Sequence, residues 1–263
     1  RDNISGPVYI SGELINNDPA MAELAARGLD VLRIVDGEEP PQPGTLIMRA
    51  HGEPPSTFER AAELGLPVID ATCGIVRTVQ KKAEALEQAG WQVILYGHRS
   101  HPESQATIAY TGHGLIVESL EEANALPHYE KIAALAQTTI LLADYERICE
   151  VLKTKTDQFQ NEGQVCAWTR MAQEEAEDLA QRCTVMVVVG GRKSSNTHRL
   201  AEVCSRHVPS HLVEIADEVD ASWFAPNSIV GVCAGASTRE ADVSAVIERI
   251  QAIGAHLVGA VPA

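Results

Sequence analysis

The chain has 263 residues, 45% hydrophobic and 22% charged. That is one large domain or two to three small ones, and neither a disordered nor a collagen-like chain. Its 36 Asp and Glu against 21 Lys and Arg leave a formal charge of −15, which excludes bulk nucleic-acid binding through clustered cations but not a small anion held by a few local donors.

No apolar run approaches the ~20 residues of a membrane helix, and no charged-then-apolar leader is seen. In chain order, a strand at 7–10 precedes a helix at 19–27, a strand at 45–48, a helix at 56–64, a strand at 67–69 and a helix at 76–89. Strands at 93–96, 115–117 and 131–135 follow, then a helix at 145–153. The polar stretch 155–163 reads as a linker or loop. Beyond it come a helix at 173–181, a strand at 185–189, a helix at 197–206, strands at 211–215 and 229–232, a helix at 239–252 and a frayed tail over 259–263. Short apolar strands alternating with amphipathic helices predict an α/β fold with largely parallel sheets. The expected blocks are 1–73, 74–164 and 165–236, each a small α/β domain, followed by a C-terminal helix and tail at 237–263. Aromatics are only 4% of the chain, so the core is aliphatic.

In parallel sheets the ligand-binding positions are the loops at the carboxyl ends of strands. Here those junctions carry Arg49-Ala50-His51-Gly52, Asp70-Ala71-Thr72-Cys73-Gly74, Gly97-His98-Arg99-Ser100-His101-Pro102-Glu103, Gln137-Thr138-Thr139, Val165-Cys166, Gly190 to Asn196 and Cys233-Ala234-Gly235-Ala236-Ser237. Each has a plain reading. Ser194-Ser195-Asn196 caps the following helix, the 97–101 segment is a turn before a helix, and free cysteines are commonly buried and inert. Helix N-termini with Ser, Asn and Gly are also anion sites, and His101 beside Glu103 is a proton-handling pair. The six cysteines are widely spaced and read as free thiols or metal ligands rather than a disulfide framework. Cys149, Cys183 and Cys204, inside or beside core elements, read as inert.

Taken together the strings are specific. The sequence resembles the 4-hydroxy-3-methylbut-2-enyl diphosphate reductase family. The resemblance rests on Gly12-Glu13-Leu14-Ile15-Asn16-Asn17, Ala50-His51-Gly52, Ala71-Thr72-Cys73, Gly97-His98 with His101-Pro102-Glu103, Gln137-Thr138-Thr139, Val165-Cys166, Ser194-Ser195-Asn196 with Arg199-Leu200, and Ala234-Gly235-Ala236-Ser237, in family order. It implies three α/β domains around a central cavity. There an iron–sulfur cluster, expected to be 4Fe-4S, is held by three cysteines with one iron left open. Cys73 and Cys166 match two of these ligands. The resemblance places His51, His101, Asn16, Ser194, Ser195, Asn196 and Ser237 at the diphosphate. It places Glu103 as the proton-relay acid, with His101 and Thr138 beside it. It implies a small diphosphate substrate, reductive removal of its allylic hydroxyl, a ferredoxin- or flavodoxin-type electron donor, no nucleic-acid or membrane partner, and a cytoplasmic or plastid location.

The sequence also departs from the family pattern. The family's first cluster cysteine would precede Arg1, and an upstream segment carrying it is expected because the sequence opens on Arg rather than Met. Cys233, in place of a Thr, is a conceivable substitute. Asn16 and Gly12 stand where the pattern has histidines, Gly74 where it has Pro, and Ala172 where it has Arg. Two other readings follow: a cluster-dependent reductase or dehydratase acting on another small anion, and a cluster-free anion-binding relic. No Gly-x-Gly-x-x-Gly nicotinamide or flavin fingerprint is present, so electrons are expected from an external carrier. Arg77 and Lys81, four apart on one helix face with Lys82 adjacent, are a candidate docking patch, or else are paired with Glu84 and its neighbours on a solvated helix.

Overall fold

The computed structural model describes residues 6–254 and 256–261. It divides into two compact units, one of residues 6–15 and 23–165, the other of 16–22 with the residues from 166 onward. The first unit carries two sheets. In chain order they are built from β1 (Val8–Ile10), α1 (Asp18–Ala26), β2 (Leu29–Val31), β3 (Thr45–Met48), α2 (Pro55–Glu63) and β4 (Val68–Asp70), then α3 (Gly74–Gln88), β5 (Gln92–Tyr96), α4 (Pro102–Ile108), β6 (Leu115–Val117), α5 (Leu120–Ala125), β7 (Tyr129–Ala136), α6 (Leu142–Lys153) and β8 (Thr156–Asn161). The second unit carries α7 (Ala167–Ala180), β9 (Val185–Val189), α8 (Ser195–Ser205), β10 (Ser210–Val213), β11 (Ile229–Ala234), α9 (Glu240–Ala252) and β12 (His256–Val261). The division between the units falls within α1.

The three sheets repeat one plan. Their strand orders are β2-β1-β3-β4, β6-β5-β7-β8 and β10-β9-β11-β12. Every strand pair among the described residues is parallel, as the α/β reading expected. Strands buried on both faces need not alternate apolar with polar residues, which explains the unbroken valine run of β9. Val185, Val187 and Val189 pack with Val246 and Ile250 of α9 on one face. Met186 and Val188 pack with Leu179 of α7 and Leu200 of α8 on the other. In the second sheet Ile94 and Leu95 likewise enter opposite clusters.

Three sequence expectations are corrected. The stretch 155–163 is not a linker: Thr156–Asn161 is β8, an edge strand paired with β7. Only Phe159 among its side chains joins the core cluster, and polar residues blunt the open edge, so no apolar run marks the strand. Gly259 to Val261 belong to β12, paired with β11, rather than to a frayed tail, while Pro262 and Ala263 lie outside the described residues. The strand placed at 211–215 ends at Val213. Helices α4 and α5 were not anticipated, with seven and six residues. Both are too short to show helical periodicity, and they carry only cap signals: His101 and Pro102 head α4, and the Ser119 side chain accepts from the Glu122 N–H to head α5. No described helix is long and apolar enough to cross a membrane.

Candidate functional site

The strand order reverses between the first and third strands of each sheet, and the crevice outside the carboxyl ends at such a switch point is where open α/β sheets take ligands. The loops there follow β1 and β3, β5 and β7, and β9 and β11. His51 follows β3, His101 and Glu103 follow β5, Thr138 follows β7, Ser194, Ser195 and Asn196 follow β9, and Ser237 follows β11. The two candidate thiols obey a second regularity. In each case the chain leaves the fourth strand of a sheet, reaches a cysteine and starts the next helix: Cys73 caps α3 after β4, and Cys166 caps α7 after β8.

In the first unit the loop after β3 is built on a buried ion pair. Glu53 is 2% exposed. Its Oε1 accepts the Ser11 hydroxyl at 2.6 Å and lies 2.7 Å from Arg49 Nε, and its Oε2 accepts from Arg49 Nη2 at 3.3 Å, so the ends of β1 and β3 are tied through one carboxylate. The guanidinium lies over Gly12, where an added Cβ would stand 3.0 Å from Arg49 Nη1. A side chain at position 12 would therefore displace this arginine. The rings of His51 and His101 meet edge to face with centroids 5.3 Å apart. Burial, together with the nearby Arg49 charge, lowers His51 from 6.5 to about 4. Burial, with His51, His98 and Arg49 beside it, lowers His101 to about 3. Both imidazoles are neutral at neutral pH. His101 Nδ1 accepts the Glu103 N–H at 3.2 Å, which puts the ring proton on Nε2 as an outward donor.

Glu103 is 3% exposed. The Thr138 N–H donates to its Oε1 at 2.6 Å and the Thr138 hydroxyl to its Oε2 at 2.9 Å. Burial outweighs these two bonds and pushes the carboxyl from 4.5 up to about 7. Gln137 sews the two loops together: its Oε1 accepts from His98 N–H at 2.9 Å and its Nε2 donates to Thr139 Oγ1 at 2.9 Å. A Cβ on Gly97 would lie 2.7 Å from Gln137 Cβ, so the approach requires glycine.

Cys73 is exposed and free. Its N–H donates to Ala50 O at 2.9 Å, which joins the thiol-bearing loop to the His51 loop. Gly52 completes the junction at φ +80°, and a Cβ there would collide with Gln80 Nε2. Two of the three cations of the expected patch on α3, Arg77 and Lys82, have acidic partners. Arg77 Nη2 pairs with Asp70 Oδ2 at 2.8 Å, and Lys82 Nζ pairs with Glu162 Oε2 at 2.8 Å.

In the second unit Ser194 caps α8, its hydroxyl accepting from the Thr197 N–H at 3.3 Å. The plain capping reading is therefore correct for that side chain. Asn196 is 7% exposed, with its Oδ1 lacking a hydrogen-bond partner. The backbone of Gly190 and Gly235 closes on Thr197, and the Asn16 carbonyl packs on Gly191. Asn17 Nδ2 donates to Ser237 O at 2.9 Å. Asn16, the 194–196 segment and Ser237 thus converge on one end of the third sheet. A cavity of about 440 Å³ opens beside them, lined by Cys166, Trp168, Thr169, Asn196, Ala234 and Ala236 among others.

The other thiols are structural. Cys149 is 3% exposed, Cys183 8% and Cys204 0%, as expected. Cys233 is only 2% exposed, and it packs with Cys204 and Met186 in the core. That corrects the idea that it could stand in as a cluster donor: its strand position points it into the sheet's packed face. Among the described residues no three or more His, Cys, Asp or Glu form a group placed to hold a metal. The sequence reading missed Glu53, Gln80, Asn17 and Thr197. The close glycines beside three of them, Gly52, Gly191 and Gly235, were the available signal.

The sequence profile of the LytB protein family matches residues 1–251. The chain belongs to the LytB family. This LytB chain is 35% identical over 250 residues to the 4-hydroxy-3-methylbut-2-enyl diphosphate reductase of Geotalea uraniireducens, covering 94% of the chain and 88% of that protein. It is 37% identical over 248 residues to the protein of the same name from Geobacter sulfurreducens, covering 94% and 87%. Among solved structures it superposes with a TM-score of 0.90 on the E-1-hydroxy-2-methyl-but-2-enyl-4-diphosphate reductase of Plasmodium falciparum, at 24% identity, covering 98% of this chain and 83% of that one; the likeness bears on the fold. A structure of (E)-4-hydroxy-3-methyl-but-2-enyl diphosphate reductase, described as the terminal enzyme of the non-mevalonate pathway, matches at 30% identity with a TM-score of 0.65, over 94% and 89%. The family resemblance read from the motif strings is borne out.

Proposed function

We propose that this LytB protein is an oxidoreductase that removes the allylic hydroxyl of 4-hydroxy-3-methylbut-2-enyl diphosphate, giving isopentenyl and dimethylallyl diphosphates in the non-mevalonate isoprenoid pathway. Family membership over residues 1–251 supports the reading. The observation that carries the chemistry is Glu103, a buried carboxyl held near 7 one residue past the Pro102 that follows His101. The reaction breaks a C–O bond with two electrons and two protons, and the oxygen departs as water. A carboxylic acid half-protonated at neutral pH can deliver a proton to that oxygen and be recharged. The Thr138 N–H and hydroxyl hold Glu103 in place and receive the charge it develops.

The diphosphate is assigned to His51, His101, Asn16, Ser194, Ser195, Asn196 and Ser237. These are neutral donors, which avoids burying several cations around the anion. The N-terminus of α8 adds the positive end of its helix dipole to the set. Asn16 donates a hydrogen bond but brings no positive charge, and this departure favours the second reading, an enzyme of the same fold acting on a related small anion.

Cys73 and Cys166 suit an iron–sulfur cluster. Both are free thiols heading a helix, and neither spends Sγ on the cap. We assign them as two thiolate ligands. A cluster bound there, 4Fe-4S by the resemblance, supplies electrons one at a time. The electrons are assigned to an external ferredoxin- or flavodoxin-type carrier, and the protein to the cytoplasm, or to a plastid in a plastid-bearing organism. The test is anaerobic reconstitution of the full chain, iron and sulfide analysis, and product analysis with the hydroxylated diphosphate and a reduced carrier. Formation of both five-carbon diphosphates is expected. A loaded chain that leaves this substrate untouched while reducing another anion would favour the second reading.

A further inference from the structure

Between the end of β4 at Asp70 and the cap of α3 at Cys73, the chain has no regular structure to hold it. Side-chain contacts take over. Asp70 Oδ1 accepts the Thr72 N–H at 2.9 Å. Asp70 Oδ2 receives Arg77 Nη2 at 2.8 Å, and the same nitrogen faces the carbonyls of Asp70 at 3.4 Å and Thr72 at 3.5 Å. On the opposite side Ala71 N–H donates to Met48 O at 3.2 Å and Cys73 N–H to Ala50 O at 2.9 Å. None of these contacts uses the thiol, which is exposed.

Arg77 stands one turn into α3, and helical side chains lean toward the N-terminus, which carries this one back over the loop. The helix dipole disfavours a cation at this end. An ion pair this open to water adds little to global stability. Neither helix formation nor overall stability accounts for an arginine here, whereas its reach across four loop residues does.

We propose that Arg77 is a positioning residue which, with Asp70, clasps the 70–73 loop and fixes the Cys73 thiol for its ligand. The proposal rests on the assignment of Cys73 to the cluster. Outer partners that orient a metal ligand typically govern metal retention by 10–100-fold.

The test compares the full wild-type chain, Arg77→Met, Asp70→Asn, the double variant and Arg77→Lys after anaerobic reconstitution. Iron and sulfide per chain, the rate of iron loss to a ferrous chelator, and the melting temperature of the cluster-free protein are measured. Each single variant should lose iron about tenfold faster than wild type. The double variant should be no faster than Arg77→Met, because without the guanidinium the Asp70→Asn change has no ion pair left to remove. Arg77→Lys, which keeps the charge without the forked reach, should fall between. Melting temperatures of the cluster-free chains should stay close together. Iron loss at the wild-type rate in Arg77→Met overturns the proposal, and so does faster loss that tracks a lowered melting temperature. If the wild-type chain takes up no cluster, the ligand assignment itself has failed. The clasp is then read from iodoacetamide alkylation of Cys73 in the cluster-free chain, where equal rates in wild type and Arg77→Met overturn it.

Discussion

Thr138 occupies both oxygens of Glu103, its N–H on Oε1 at 2.6 Å and its hydroxyl on Oε2 at 2.9 Å. Both bonds favour the carboxylate, yet burial leaves the group near 7. The acid is tuned by opposing effects, so each can be altered separately.

Glu103→Gln keeps the size of the side chain and removes the transferable proton. General acid catalysis is typically worth ~10²–10⁴-fold, and turnover should fall by about that factor with KM little changed. The amide oxygen still accepts the Thr138 N–H and the amide N–H donates to the Thr138 hydroxyl, so folding stability at pH 7 should stay within about 1 kcal/mol of wild type. Steady-state kinetics and urea unfolding check the two parts, and an unchanged turnover number removes Glu103 from the mechanism.

Thr138→Val deletes only the hydroxyl donor. The carboxylate loses a partner that favours its charged form, so the Glu103 pKa should rise further. The alkaline limb of the kcat/KM profile should move to higher pH. A profile that stays in place would mean that another group sets that limb.

The ligand-free protein should show opposed pH effects from the same site. His51 and His101 lie at about 4 and 3 when folded, against 6.5 for an ordinary histidine. Between those values the unfolded chain binds more protons, so their contribution is full above 6.5 and is lost as pH falls. Glu103 acts the other way, because the folded state holds the extra proton between 4.5 and about 7 and stability declines as pH rises through that window. His51→Gln removes one histidine contribution. Wild type should lose more stability than this variant on going from pH 7.5 to 4.5, by an amount approaching roughly 3 kcal/mol. A stability difference that is constant across unfolding curves in this range would show that His51 titrates like a free histidine.

The parts of the fold legible in the sequence are those buried on both faces. Val185 to Val189 can only be a central strand, because neither face of β9 meets water. Thr156 to Asn161 could not be read that way, since one edge of β8 is open and Phe159 alone supplies the apolar signal. The site was legible where short strings sit at strand ends, as with His101 to Glu103. It was not legible where function depends on the meeting of distant residues. The Glu103–Thr138 contact spans 35 residues and had to come from the resemblance. Arg49, whose charge helps keep two histidines neutral, pairs with Glu53 in a loop, where a four-residue spacing carries no helical meaning.

Gly52→Ala tests the junction between the His51 and Cys73 loops. The residue sits at φ +80°, and its new Cβ would strike Gln80 Nε2, a side chain only 3% exposed. The left-handed backbone and the collision together should cost roughly 2–3 kcal/mol. Gln80→Ala in the same chain removes the collision and leaves the backbone cost, so part of the loss should return. Urea unfolding measures both, and a Gly52→Ala chain as stable as wild type would show that the two loops are not packed this closely.

The four buried thiols and the two at helix caps should separate cleanly in iron content. Cys73 and Cys166 have Sγ uncommitted at the heads of α3 and α7. Cys149, Cys183, Cys204 and Cys233 are each under 9% exposed and packed in apolar clusters. A serine hydroxyl is a poor substitute for a soft thiolate on iron, so Cys73→Ser or Cys166→Ser should abolish most bound iron and sulfide while leaving the fold intact. Alanine at the buried positions removes one sulfur from a packed core, a loss of about 1 kcal/mol or a few degrees of Tm, with iron content unchanged. Iron and sulfide analysis after anaerobic reconstitution, paired with a melting curve for each chain, distinguishes the two classes. Full iron in either cap variant would mean that the cluster is held elsewhere, and loss of iron in a buried variant that melts like wild type would move the ligand assignment to that cysteine.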